Sequence, residues 1–460
     1  MNYLFIKPGN QKILYGETSE FNLTAIEPPF WPLLLASFLK RSYVKSNIVD
    51  LEVDGIDKLK QVLEDNHPSY AVICISGHNP SASLMNMVGL DNLCLEILSI
   101  SPGTRILLHG LYPSSRPTEI LKKHKYVYDI LRNEGFSELS RLIGFKIDAD
   151  SSINTIGEID WSLIDIQKYR AHNWHLFGDI SNRSPYGITF TSFGCPHKCD
   201  FCCVNLMYSK VQYRDINLVY QDIKNLYDQG VRNFKFMDEL FTMSRGRVIQ
   251  LCYKLIDEGI NDINAWAYAR TDTLDDIVIS VMKEAGIRWL GIGYESGSQL
   301  ILDSSDKKQS LKKAYEATEA CKKYGMNICG NFVFGLADDT YNTMEETLKL
   351  SMDLQPEWVN YNVVFAFPGT KLYDKVKGEP WFREPTDYEQ YSQHGYRCTP
   401  MGTKHLTSKQ VLNFKDWAFR DFYYNPNYLE MIENKFGSET RKYIEKSLIY
   451  YPKRELYDTC

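Results

Sequence analysis

The 460-residue chain shows no apolar run that reaches the roughly 18 residues a membrane-spanning helix needs. Its first residues, Met1 to Pro8, read as a short strand ending at Pro8-Gly9, with no charged-then-apolar leader. These absences lead to the expectation of a cytoplasmic protein with no membrane span. Basic charge is not in excess: 52 Lys and Arg against 58 Asp and Glu leave a net charge of −6, so no broad nucleic-acid surface and no nucleic-acid partner is expected. No G-x-G-x-x-G occurs, which removes an ordinary dinucleotide site. There is no low-complexity tract and no tandem array. The 11 cysteines form no disulfide pattern: Cys74, Cys94, Cys252, Cys321 and Cys329 stand singly among apolar residues, as buried small hydrophobes do. One tight cysteine group remains, and no second C-x2-C accompanies it.

What is present is a globular composition, 44% hydrophobic and 24% charged. The length exceeds one hydrophobic core and implies two or three domains. In the first stretch, Tyr3–Ile6, Asn47–Asp50, Ala71–Ile75 and Arg105–Leu108 are apolar runs of the kind buried parallel strands show. Helical spacing lies between them at Trp31–Arg41, Gly55–Asn66, Ser83–Ser99 and Pro117–Lys123. This predicts a doubly wound, Rossmann-like α/β domain over residues 1–145, with ligand space beyond its strand carboxyl ends. Those ends carry Pro8-Gly9, Ser76-Gly77 and His109-Gly110, small or turn-forming residues that leave room for something flat or large. Residues 146–185 have weak periodicity and read as a linker.

A second alternating series follows. Gly187–Phe193, Asn233–Met237, Asn264–Ala269, Trp289–Tyr294, Ile328–Phe334 and Val359–Val364 read as strands, with helical patterns between. Six repeats predict a partial (β/α)6 TIM-like barrel over residues 186–385, whose chemistry gathers at the strand carboxyl ends. Residues 386–460, rich in aromatics and charge, read as a small helical region with helices at Ser408–Phe422 and Tyr428–Phe436.

The cysteine group, Gly194-Cys195-Pro196-His197-Lys198-Cys199-Asp200-Phe201-Cys202, directly follows the first barrel strand with C-x3-C-x2-C spacing. Three thiolates can bind three irons of a cubane cluster and leave the fourth iron open to a small chelating ligand. Zinc would ask for a fourth ligand in a paired cluster. A plain electron-transfer cluster would ask for a fourth cysteine. Cys203 adjoins Cys202, so its side chain should point away and pack, and His197 fits a solvated loop residue.

This spacing, with an aromatic residue before the third cysteine, resembles the motif of the radical S-adenosylmethionine (SAM) superfamily. Further motifs follow in the family's order. Phe236–Phe241 resembles the acidic stretch after the second strand, and Tyr268-Ala269-Arg270 the arginine position after the third. Gly291–Gly297 resembles the glycine-and-glutamate motif, Phe334-Gly335-Leu336 the turn that cradles adenine, and Phe367–Thr370 the turn closing the sixth strand. The resemblance implies a [4Fe–4S] cluster on Cys195, Cys199 and Cys202, chelating SAM through the open iron. It also implies SAM contacts from Asp238 or Glu239 to the amino group, Arg270 to a carboxylate, Glu295 to ribose, and Phe334 and Gly335 to adenine.

The front segment resembles the subgroup with an amino-terminal cobalamin-binding domain, through Pro28-Pro29, Asp50–Asp54, His109–Pro113, Asn133-Glu134-Gly135 and Ile159–Leu163. That implies cobalamin near Ser76, Gly77, His109 and Gly110. The D-x-H-x-x-G motif that supplies a lower cobalt ligand is absent, and His78 and His109 are the histidines at strand ends. The implied activity is a cobalamin-dependent radical SAM methyltransferase. It would methylate an unactivated carbon or a phosphorus centre through methylcobalamin and a 5′-deoxyadenosyl radical. Alternatives are radical cyclisation, rearrangement or sulfur insertion, with or without cobalamin, and a non-catalytic iron–sulfur sensor or binding protein. The implied partners are a small-molecule or peptide substrate and an electron donor such as flavodoxin or ferredoxin. Trp174–Phe177 and the tyrosine-rich tail are candidates to line the substrate gap.

Overall fold

The computed structural model describes residues 2–9, 12, 15, 16, 24–76, 80–144, 153–449 and 451–458. The front of the chain forms a five-stranded parallel sheet from β1 (Asn2–Lys7), β2 (Lys45–Asp50), β3 (Tyr70–Cys74), β4 (Arg105–His109) and β5 (Val127–Leu131), in the order β2-β1-β3-β4-β5. β3 is buried along its whole length, which is why it reads as an unbroken apolar run. The edge strand β5 escapes a pattern search because Tyr128 is exposed and Asp129 breaks the run. Strand order reverses between β1 and β3, and in open α/β sheets a ligand crevice forms outside the carboxyl ends at such a point.

The second sheet holds β6 (Tyr186–Thr189), β9 (Asn233–Phe236), β10 (Asn264–Ala269), β11 (Ile287–Glu295), β12 (Asn327–Phe334) and β13 (Trp358–Val363). All are parallel, in the order β13-β12-β11-β10-β9-β6. Between β6 and β9 lies a short antiparallel ribbon, β7 (Ser192–Phe193) with β8 (Gln212–Tyr213). The run Gly187–Phe193, expected as one strand, is therefore two: the chain leaves the sheet after Thr189 and turns to present the cysteine loop.

Two sequence expectations change. The helix expected over Ser83–Ser99 is broken at Gly89, where φ is +75°, into a 3-10 helix (Pro80–Met87) and an α-helix (Leu90–Ile100). The window Ser83–Ile100 is the one stretch among the described residues with the length and apolarity to cross a membrane, and this break divides it. Trp174–Phe177, expected beside the substrate gap, instead closes the opposite mouth of the barrel. Trp174 meets Trp266 and Trp289 at 5.3 and 5.2 Å, and Phe177 meets Trp289 and Trp358 at 6.1 and 5.8 Å, all near strand amino ends. Large rings fill the wide end of an incomplete barrel, and burial of such rings dominates packing energy.

The tail lies along the outer side of β13. A reciprocal Thr407–Gln410 cap starts the helix Ser408–Tyr423. Tyr423 Oη accepts from the Val359 amide at 2.9 Å and donates to its carbonyl at 2.8 Å.

Among the described residues three imidazoles are buried, those of His109, His124 and His175. His109 and His175 are 0% and 1% exposed, and burial lowers their pKa values to about 4 and about 3. Below an unfolded pKa near 6.5 the unfolded chain binds protons that the native chain refuses, so their contribution is full above that pH and is lost as pH falls. His175→Phe therefore gains stability relative to wild type by about 1.4 kcal/mol per pH unit as pH drops from about 6 towards 4. Urea midpoints of the two proteins across that range measure the difference.

Candidate functional site

The cysteine loop sits at the carboxyl end of β6. Gly194 has φ +83°, and a Cβ there would lie 2.8 Å from the Lys210 carbonyl oxygen, so only glycine makes this turn. The loop is braced from outside. The Asp200 amide donates to the Ser305 carbonyl at 3.1 Å, and the Leu372 amide donates to the Asp200 carbonyl at 2.9 Å. Lys375 pairs with the Asp200 carboxylate at 2.8 Å, and Asn205 Nδ2 donates to the His197 carbonyl at 3.0 Å. Cys195, Cys199 and Cys202 are the only cysteines among the described residues that are not buried. Cys203 is 2% exposed and packs into the core.

Among the described residues no three thiol, imidazole or carboxyl groups are placed to share a single metal ion. A cubane asks for a different arrangement, one thiolate on each of three irons, and three partly open thiols on one braced loop fit it. Burial raises all three thiol pKa values, Cys202 to about 12, while Lys307 and Arg270 pull Cys199 back. A metal must therefore displace the protons to hold these groups as thiolates.

The other barrel candidates divide by their partners. Asp238 is fully buried and accepts from the Thr191 amide at 2.8 Å, Thr191 Oγ1 at 2.5 Å and Ser192 Oγ at 2.7 Å, so its carboxylate braces the start of the cysteine loop. Glu239 accepts from the Gly194 amide at 3.1 Å, and burial raises its pKa to about 8, which makes it a neutral acid at pH 7. Arg270 clamps Asp272 through two contacts of 3.0 and 3.1 Å, donates to the Lys307 carbonyl at 3.0 Å, and turns Nη1 towards Cys199 Sγ at 4.0 Å. Glu295 ends β11 with φ +63°, a conformation costly for a residue with a Cβ. Its Oε1 lies 2.6 Å from Lys307 Nζ. Phe334 is buried against Tyr361 at 5.3 Å and Phe414 at 5.0 Å, so its ring serves the tail interface. The Gly335 and Leu336 amides both donate to Asp339 Oδ2 at 2.9 Å, and a Cβ on Gly335 would meet Val411 at 2.6 Å.

Lys307 was not among the sequence candidates. It is 6% exposed and is turned inward between Asp306 and Lys308, both with positive φ. The run Asp306-Lys307-Lys308 carries no sequence signal that separates it from a solvated surface turn. A buried ammonium beside Glu295 and Cys199 suits an anionic ligand such as a carboxylate. Lys307→Met is expected to weaken SAM binding about tenfold or more while iron content is kept, because a buried charged partner is removed. Equilibrium dialysis with iron analysis measures both.

The carboxyl ends of the two sheets face each other across a cleft with a cavity volume of about 100 Å³. Pro8 and Ser76 line its front side, and Lys235, Asp238, Glu239 and Tyr268 its barrel side, with Trp31 and Tyr208 between. Gly77 and His78 lie outside the described residues. His109 is shut away, with Trp31 at 4.7 Å and its Nε2 3.1 Å from the Asn133 carbonyl oxygen. At Gly110, φ is +141° and a Cβ would overlap the Ile75 carbonyl, so this glycine answers to strand packing.

The architecture is thus a parallel α/β barrel with three partly open thiols at its mouth, facing a second parallel α/β sheet. Residues 189–351 match the family model of the radical SAM superfamily. Residues 189–351 are a radical SAM domain, and the cofactors of such a domain are a [4Fe–4S] cluster and SAM. It is 28% identical over 284 residues to an uncharacterized methyltransferase of Pyrococcus horikoshii, a match covering 60% of this chain and 58% of that relative. It is 23% identical to the anaerobic magnesium-protoporphyrin IX monomethyl ester cyclase of Rubrivivax gelatinosus, covering 94% of this chain and 80% of that one. Among solved structures it resembles the cobalamin-dependent S-adenosylmethionine radical enzyme OxsB with aqua-cobalamin and S-adenosylmethionine bound. That likeness has a TM-score of 0.68 at 16% identity, covering 97% of this chain and 72% of that chain.

Proposed function

We propose that this protein is a cobalamin-dependent radical SAM methyltransferase that methylates an unactivated carbon or a phosphorus centre, with a Rossmann-like front domain holding the corrin. The observation that carries this reading is the cleft: the switch point of the front sheet opens towards Asp238 and Glu239, the two acids that brace the cysteine loop. When bound, the cluster supplies the electron that splits the SAM sulfonium, and cobalamin supplies a methyl carrier. The chain's own residues have narrower tasks. Cys195, Cys199 and Cys202 hold the cluster, Lys307 and Glu295 orient SAM, and Asp238 keeps the cysteine loop in register. Pro8, Ser76 and Trp31 give the corrin a flat, largely apolar wall. No described histidine lines the cleft, and His109 is enclosed, so the described residues offer no imidazole that would ligate cobalt there. The electron donor is proposed as a flavodoxin or ferredoxin.

A second reading, radical cyclisation, is favoured by the cyclase relative whose match spans nearly the whole chain. SAM labelled with a deuterated methyl group separates the two. Incorporation of that methyl into products from a cell extract supports methylation, while turnover to 5′-deoxyadenosine with no label transferred supports cyclisation.

A further inference from the structure

The tail helix Ser408–Tyr423 has two unlike faces. Its inner face carries Val411, Phe414, Ala418 and Phe422 into the core, where Phe414 meets Phe334 at 5.0 Å and Phe422 meets Tyr361 at 6.2 Å. Its outer face carries Trp417, Arg420 and Tyr424, spaced so that a helix stacks them on one side. Tyr424 keeps that register one residue past the helix end, because its amide donates to the Arg420 carbonyl at 2.9 Å. Trp417 and Tyr424 are 44% and 45% exposed, and Tyr341 and Tyr451 extend the same surface at 49% and 46%. Phe414 joins Tyr341 to it, with the Tyr341 ring at 5.1 Å and the Trp417 ring at 5.2 Å. The Arg420 guanidinium joins Tyr451 to it, lying 5.2 Å from the Tyr424 ring and 5.5 Å from the Tyr451 ring. Half-open rings scattered singly need no explanation, but four gathered about one arginine have the composition of an interface core.

The order of groups along this face identifies what covers it. Arg420 is followed by Asp421, which is exposed and has no ion-pair partner among the described residues. The midpoint between positions 420 and 421 is also the midpoint between Trp417 and Tyr424. A twofold axis through that point lays a second copy of the helix antiparallel to the first. Arg420 then meets Asp421 of the second copy, Trp417 meets its Tyr424, and each contact occurs twice by symmetry. The face is therefore complementary to itself in charge and in ring placement. We propose that the outer face of the tail helix is a homodimer interface, with its twofold axis between Arg420 and Asp421. With about half of each ring open, the four rings offer roughly 300–450 Å² per copy. A standard interface buries about 800 Å² per partner, so the dimer is a weak one, forming in the micromolar range. The interface lies on the outside of the barrel and stands independently of the reaction proposed above.

Sedimentation velocity of the full chain across the micromolar range, with circular dichroism as the check of folding, tests both the face and the pairing. Wild type is expected to dimerise, and Trp417→Glu to raise the dimer Kd about tenfold or more, because a central ring is lost. Arg420→Asp and Asp421→Arg each set like charges against each other across the axis, and each alone is expected to stay monomeric where wild type is dimeric. Mixed in equal amounts, these two variants are expected to pair with one another, since each then meets opposite charge at both positions. A misfolded chain could not give that recovery. If Arg420→Asp fails to fold, Trp417→Glu and Asp421→Arg still decide the matter, because dimerisation of either at the wild-type Kd would place the contact on another face. A wild type that stays monomeric throughout the range, or two folded charge variants that stay monomeric when mixed, would equally overturn the proposal.

Discussion

Alanine at Cys195, Cys199 or Cys202 is expected to remove the iron and to drop SAM cleavage to background, while alanine at Cys203 leaves most of both. The first three are the thiols that open onto the barrel mouth, and each has no substitute within the loop. A cubane that loses one of three protein ligands has too few anchors to persist, and metal-held loops lose their order with the metal. Cys203 faces the core, and its replacement costs packing only. Iron and sulfide analysis of the four variants, beside 5′-deoxyadenosine formation, measures the contrast. Iron retained at the wild-type level in Cys199→Ala would remove the ligand assignment.

Asp416→Ala is expected to cost about 3–5 kcal/mol of stability, the usual loss when one partner of a buried ionic group is removed. Asp416 and Arg454 are 3% and 1% exposed, joined by contacts of 2.9 Å from Nε and from Nη2. Lys415 adds a contact at 3.1 Å and Tyr457 Oη donates at 2.9 Å, while Arg454 Nη1 reaches the Gly395 carbonyl at 2.9 Å. This cluster fastens the end of the chain to the tail helix. Burial alone would raise the Asp416 pKa, but Lys415 and Arg454 outweigh it and hold the carboxyl at about 2. Its contribution is complete above the unfolded value near 3.8 and is lost as pH falls through about 2. Thermal unfolding of Asp416→Ala and of the double variant Asp416→Leu with Arg454→Met checks the account. The double variant should recover part of the loss, because the Arg454 charge goes with its partner and only Lys415 is left without its carboxylate.

Regular strands under a sheet's own packing were the most legible part of the sequence. Asn264–Ala269 has the same bounds in both readings, and β1, β3, β9, β12 and β13 differ by one residue at one or both ends. β1 and β3 are apolar because both faces are covered, while β12 and β13 alternate buried residues with partly exposed polar ones. What escaped is what tertiary contacts decide. β5 lies at an edge and alternates with exposed residues, so no run announces it. Gly89 looked like one small residue within an apolar helix, and only its positive φ shows the break. The linker aromatics at 174 and 177 were expected at the substrate gap, and nothing local says which mouth of the barrel they close. The cysteine loop was legible because its spacing is itself the chemistry. Lys307 was not, since its role depends on two flanking residues in left-handed backbone and on Glu295, twelve positions earlier in sequence.

The central claim is that the cleft between the two sheets holds a corrin beside a cluster on the cysteine loop. Anaerobic purification with hydroxocobalamin, followed by iron, sulfide and cobalt analysis and an optical spectrum, tests it most directly. The account expects about four irons and about one cobalt per chain, the stoichiometry of one cubane and one corrin. About four irons with no cobalt would contradict it, leaving the radical chemistry in place and the front sheet without its proposed cofactor.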